Sequence, residues 1–285
     1  MLMPPATRFQ HLILFIMTTL VTFDVDGTLI RSFGPSANAA HKSAFAAACA
    51  KCFHIETDID RIEHHGGTDP LILIKLLSCA HGVPVEDVKA MLPQLQQEML
   101  AHYEGVTSSA VDGLALLPGV PHLLDALQQC DGTISCLVTG NLEPIAWHKM
   151  AALNLKHRFS TPNFGGFGSD FCSGNLAEMW HDRAELIRIA RAKAGAILSE
   201  QQRPPISRCC HVGDTPNDIL AAAGAGATAI GVCTATSSRQ QLQDALDSCG
   251  CPGLILDDLS DLSKSLAAIG CRHRASHAPQ HASGG

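Results

Sequence analysis

Aromatic residues make up only 5% of this chain, with one tyrosine and two tryptophans. That scarcity argues against the stacked-base platforms that hold single-stranded nucleic acid. Positive charge is short as well: 20 Lys and Arg face 27 Asp and Glu, a net charge of −7. Neither nucleic acid nor an anionic membrane surface is therefore an expected partner. Long apolar runs are missing near the N-terminus, where His11 to Met17 falls far short of the ~20 residues that span a bilayer. A second Cys-x-x-Cys pair is missing too, so Cys49-x-x-Cys52 does not complete a zinc site. Cys49 lies in an Ala-rich run, where a buried thiol is expected.

The rest of the twelve cysteines are scattered, mostly through apolar runs. Unpaired thiols in such number point to a reducing compartment. A cytoplasmic location is expected, with organellar import by the N-terminal segment as the alternative. Residues 1–17 carry one arginine and no clear cleavage site, and read as an unstructured extension. Residues 271–285 read as a solvated tail in which His273, His277 and His281 bind nothing specific. What remains is long enough, and at 46% apolar rich enough, to build a large α/β core.

Three apolar runs carry the chemistry. The first, Leu20 to Phe23, is followed by Asp24-Val25-Asp26-Gly27-Thr28. It reads as a strand buried on both faces, and residues two apart in a strand point the same way. Asp24 and Asp26 can thus face one pocket at the carboxyl end, where open α/β sheets bind ligands. On its own, Asp-Gly would make no more than a turn. The second run, Cys136-Leu137-Val138, ends in Thr139-Gly140-Asn141. The third, Cys210-His211-Val212, ends in Gly213-Asp214, with Asp218 four residues later.

In order and residue type these motifs resemble the haloacid dehalogenase-like hydrolase superfamily, its phosphatase branch most closely, over roughly residues 19 to 265. The resemblance implies a doubly wound, Rossmann-like parallel sheet with an inserted all-helical cap, as in phosphoglycolate phosphatases. It implies that Asp24 is a nucleophile forming an aspartyl-phosphate and that Asp26 is the general acid and base. For that role a raised Asp26 pKa is expected from burial beside other carboxylates. Mg²⁺ is the implied cofactor, held by Asp24, Asp214 and the Asp26 backbone carbonyl, with Asp218 as a further ligand or a supporting residue. Thr139, Gly140 and Asn141 are the implied phosphate-binding groups.

The dehalogenases of the superfamily lack the second aspartate, so Asp26 argues against dehalogenation. The family's lysine before the last motif has no Lys-Pro signature here; Arg183 takes that place, with Lys193 as the competitor. His65, in His64-His65-Gly66-Gly67, is a candidate substrate contact. Phosphonate hydrolysis would need a Schiff-base lysine in the cap, and Lys42, Lys51, Lys75 and Lys89 lack a distinctive setting. Trp147 and His148 are expected to pack.

The expected organisation is a core of residues 18–33 and 117–270 and a helical cap of residues 34–116. In the cap, helices are predicted over Ala37 to Phe53, Pro70 to Ala80, Val85 to Met91 and Gln94 to Tyr103. In the core, strands and helices alternate as a parallel sheet requires. The predicted activity is Mg²⁺-dependent hydrolysis of a small phosphorylated metabolite. A phosphoglucomutase-like phosphotransferase is the alternative, and an inactive binding protein on the same fold a more remote one.

Overall fold

The computed structural model describes residues 17–34, 36, 38–106 and 113–271. Residues 1–16 of the N-terminal extension and the tail histidines predicted above lie outside the described residues. The central element is β1 (Thr18–Phe23), a β-branched and aromatic run whose residues point alternately to two helical layers. Val21 and Phe23 join the core beneath α4 (Val120–Gln128), α5 (Glu143–Ala152) and α9 (Leu262–Ile269), while Leu20 joins the other. That second layer holds α6 (Trp180–Glu200), α7 (Pro216–Gly224) and α8 (Arg239–Cys249).

β1 pairs in parallel with β4 (Thr133–Thr139) on one side and β6 (Ile206–Gly213) on the other. The sheet continues through β5 (Gly165–Phe167), β7 (Thr228–Val232) and β8 (Gly253–Leu256) in the order β5-β4-β1-β6-β7-β8. The chain leaves β1 toward one edge and later returns to its other flank, so a crevice opens at the carboxyl ends of β1, β4 and β6. Register does the rest: Phe23 lies beside Leu137 and Val212, and the Asp24 N–H extends the ladder to the Val212 carbonyl at 2.9 Å. The residues that end the three strands therefore meet at one level.

Between β2 (Ile30–Ser32) and β3 (Leu114–Leu116), an antiparallel pair, sits a helical insert. It comprises α1 (Ala39–Phe53), α2 (Asp69–His81) and α3 (Val85–Gly105), and Leu71, Leu73, Phe45 and Leu95 are fully or almost fully buried in its own apolar cluster. Leu142 and Ile145 at the start of α5 belong to that same cluster, and so dock the insert onto the sheet layer.

One local expectation is corrected and two short strands are added. The two helices predicted over Val85 to Met91 and Gln94 to Tyr103 are one: Pro93 falls inside α3 at an exposed position, where the helical hydrogen bond it removes is least costly. The segment after Leu29 forms a strand, β2, with β3 as its distant partner. Beside Phe164 the short strand β5 begins at Gly165. All twelve cysteines are free, and burial pushes the Cys49 thiol up to about 12. Among the described residues no helix is long and apolar enough to cross a membrane.

Candidate active site at the carboxyl ends of three strands

Asp24, Asp26, Thr139, Gly140, Asn141, Arg183 and Asp214 all line one cavity of about 510 Å³ between the sheet and the helical insert. His65 lines it from the insert side and is exposed. Carboxylate oxygens of Asp24, Asp214 and Asp218 lie within 4.8 Å of one another. All three residues are buried.

Burial of carboxylates without enough counter-charge must raise some of their pKa values. Asp24 is raised, by desolvation first, against the pull of Arg183, with Asp218 and Asp26 adding to the rise. Asp214 is raised well above the ordinary range, by desolvation and then by repulsion from Asp218 and Asp24. Asp218 goes the other way: burial would raise it, but Arg183, His211 and Thr215 hold it low.

Arg183 accounts for that split. Its Nη1 lies 2.7 Å from Asp24 Oδ1 and 2.9 Å from Asp218 Oδ1, and the residue is 3% exposed. The first turn of α6 delivers it; Lys193, further along that helix, pairs with Asp170 at 2.9 Å. Asp218 is fully engaged. Its Oδ1 also meets His211 Nε2 at 3.2 Å, and its Oδ2 accepts from the Thr215 N–H and hydroxyl in the capping box that starts α7. His211, itself buried, is held from behind by the Thr22 hydroxyl at 2.9 Å.

Glycine makes the close approaches possible at two places. A Cβ on Gly27, where φ is +93°, would lie 2.4 Å from Asp214 Oδ2, and one on Gly140 would lie 2.3 Å from the Gly67 carbonyl oxygen. Thr28 then donates its hydroxyl to Asp214 Oδ1 at 3.0 Å. Beside them, the Thr139 hydroxyl accepts from the Asn141 N–H at 3.3 Å.

Asp26 departs from expectation. Its pKa is lowered: burial alone would raise it, but the Lys149 ammonium outweighs that, with the Asn141 side-chain amide acting in the same direction. Lys149 Nζ lies 3.0 and 2.8 Å from the two Asp26 oxygens and 2.8 Å from Asn141 Oδ1. A fully buried lysine needs such partners. Sequence reasoning missed Lys149, and with it His41 and Asp69. The available signal was one lysine on a face of α5 that otherwise carries Ile145, Ala146 and Met150.

The other singled-out residues settle simply. Lys42 lines the cavity but is paired with Asp60 at 2.8 Å. Trp147 packs against Phe159 and Phe167, and His148 meets the Tyr103 hydroxyl at 3.2 Å.

Residues 18–226 match the family described as haloacid dehalogenase-like hydrolase. A phosphoglycolate phosphatase from Agrobacterium fabrum is 24% identical over 250 residues, 88% of this chain and 93% of that protein. A hydrolase from Pseudomonas syringae superposes with a TM-score of 0.58 at 23% identity, covering 88% of this chain and 98% of that one. CbbY from Rhodobacter sphaeroides, solved in complex with phosphate, gives 0.55 at 19% identity, over 86% and 96%.

Proposed function

Because the chain belongs to the haloacid dehalogenase-like hydrolase family, we propose that it is a Mg²⁺-dependent phosphatase of a small phosphorylated metabolite, working through an aspartyl-phosphate on Asp24. The observation that carries this reading is the meeting of Asp24, Asp26, Thr139, Arg183 and Asp214 around one cavity. The likeness to a phosphoglycolate phosphatase supports the substrate class.

The donor set fits the ion. Asp24 and Asp214 are hard oxygen ligands whose raised pKa values mark carboxylate charge without a matching cation. They would hold Mg²⁺ together with the Asp26 backbone carbonyl. Asp218, with both oxygens engaged, would support the site by fixing Arg183. When bound, the ion would offset the charge of the phosphoryl group and of the carboxylate that attacks it.

The chain's own groups do the rest. An Asp24 oxygen attacks phosphorus, the ester P–O bond breaks, and the departing oxygen takes a proton from Asp26. Entry of an anionic phosphoryl group beside Asp26 supplies the rise in its pKa that the substrate-free site lacks. A water molecule then gives its proton to Asp26 and attacks phosphorus, releasing inorganic phosphate and restoring Asp24. Arg183 holds Asp24 in line, and Thr139 with nearby backbone N–H groups faces the phosphoryl oxygens. The helical insert, residues 34–116, acts as a cap that closes the cavity to bulk water, with His65 a contact for the far end of the substrate.

A panel of phosphorylated metabolites with Mg²⁺ tests this reading. Steady release of inorganic phosphate, stopped by chelator and needing no activating bisphosphate, is expected. Turnover only with a bisphosphate would make the protein a phosphotransferase.

A further inference from the structure

We propose that Asp69, His41 and Lys149 form a buried line of positioning residues that sets Asp26 in place when the helical insert is seated on the sheet core. The proposal rests on the reading of Asp26 as proton donor to the leaving oxygen. The line crosses the interface between the two parts of the chain: Asp69 and His41 belong to α2 and α1, Lys149 and Asp26 to the core. Asp69, His41 and Lys149 are 2%, 5% and 0% exposed.

Donor and acceptor chemistry fixes its polarity. A lysine ammonium only donates and a carboxylate only accepts. His41 lies between one of each, with Nδ1 3.4 Å from Lys149 Nζ and Nε2 3.0 Å from Asp69 Oδ2. The ring must therefore carry its proton on Nε2, giving it to Asp69, and accept from Lys149 at Nδ1. The three ammonium hydrogens then go to Asp26, Asn141 and His41, which satisfies the group completely.

The line closes on itself. The Asp69 N–H donates to the Gly140 carbonyl at 2.8 Å, and its Oδ2 accepts from the Leu142 N–H at 2.9 Å. These backbone groups flank Asn141, whose side-chain amide donates to Asp26 at 3.0 Å and accepts from Lys149. One insert residue thus grips both sides of the turn whose side chain grips the acid–base group. With the insert displaced, Lys149 would lose its third acceptor and the Asn141 turn its two anchors. Phe45 and Tyr103 wall the His41 ring at centroid distances of 5.3 and 6.4 Å, which leaves it one seat.

The test uses two Mg²⁺-supported substrates that differ in their need for a proton. A glycerol phosphate leaves as an alkoxide that must be protonated, whereas p-nitrophenyl phosphate leaves as a stable anion. His41→Phe fills the aromatic seat without nitrogen and leaves Asp26 paired to Lys149. Its kcat for glycerol phosphate should fall by about 10- to 100-fold, the scale of a misplaced reacting group, with a much smaller fall for p-nitrophenyl phosphate and little change in KM. His41→Gln, which offers a donor and an acceptor again, should recover most of the loss and serves as the folded comparator if His41→Phe is unstable. Equal losses on both esters, or a Gln variant as impaired as Phe on glycerol phosphate alone, would overturn the positioning role. If the wild-type protein spares both esters, the same comparison runs on a panel metabolite with an alkoxide leaving group, and inertness to the whole panel would remove the phosphatase reading and this inference with it.

Discussion

Gly27 and Asp214 approach so closely that no side chain fits between them: a Cβ at residue 27 would stand 2.4 Å from one Asp214 oxygen and 2.6 Å from the other. The first and last motifs are thereby locked together by an absent methyl group. Gly27→Ala must push Asp214 away and also hold alanine at φ +93°. A loss of about 1–3 kcal/mol in stability is expected from the backbone alone, with activity lost more steeply. Thermal denaturation and phosphate release measure the two. A Gly27→Ala protein with wild-type turnover would take Asp214 out of the reaction.

Metal and pH should act on stability together. Asp24 and Asp214 have folded pKa values raised by burial, and by repulsion within the cluster. A raised carboxylate contributes stability that is fully present below the unfolded pKa of about 3.9 and is lost as pH rises through the folded value. The metal-free protein therefore carries an electrostatic penalty at neutral pH that a bound divalent cation relieves. Mg²⁺ should raise Tm clearly at pH 7, by up to about 2.7 kcal/mol of stability at one hundred times its Kd, and barely at pH 4. Asp214→Asn should raise the metal-free Tm at pH 7 and abolish the Mg²⁺ response; an undiminished response would move the ion elsewhere.

Arg183 stands between two buried carboxylates, 2.7 Å from Asp24 and 2.9 Å from Asp218. Removing one partner of a buried pair leaves unpaired charge, so Arg183→Met should cost about 3–5 kcal/mol. Adding Asp218→Asn should recover part of that cost, since less charge is then stranded. Arg183→Lys should keep more of the stability, yet the shorter lysine stem does not carry its nitrogen to the place of Nη1 between both carboxylates, and kcat should fall on the order of 10²-fold. Denaturant unfolding of the single and double variants gives the coupling directly. Additive losses would show that Arg183 and Asp218 do not act as a pair.

What was legible in the sequence was what strands announce locally. Asp24, Thr139 and Asp214 stand at the ends of apolar runs, and a parallel sheet brings such ends to one level, as the pairing of Phe23 with Leu137 and Val212 records. The insert was legible from its helical periodicity and lack of strand alternation. The pairing of β2 with β3 was not, because three-residue strands far apart in the chain leave no local pattern. Lys149 was hardly legible either: apart from its standing among Ile145, Ala146 and Met150, nothing within Glu143–Ala152 signals its burial, which depends on the distant insert that brings His41 against it. The direction of the Asp26 pKa failed for the same reason, since the expectation counted neighbouring carboxylates and lacked the one buried ammonium.

The most direct test of the account is to trap the phosphoryl group on the chain. Protein with Mg²⁺ is mixed with ³²P-labelled p-nitrophenyl phosphate, quenched in acid within one turnover, and its peptides mapped for label. The expected result is an acid-stable, base-labile phosphate on Asp24, absent from Asp24→Asn, which keeps its fold and releases no phosphate. Label on another residue, or phosphate release by Asp24→Asn, would contradict it.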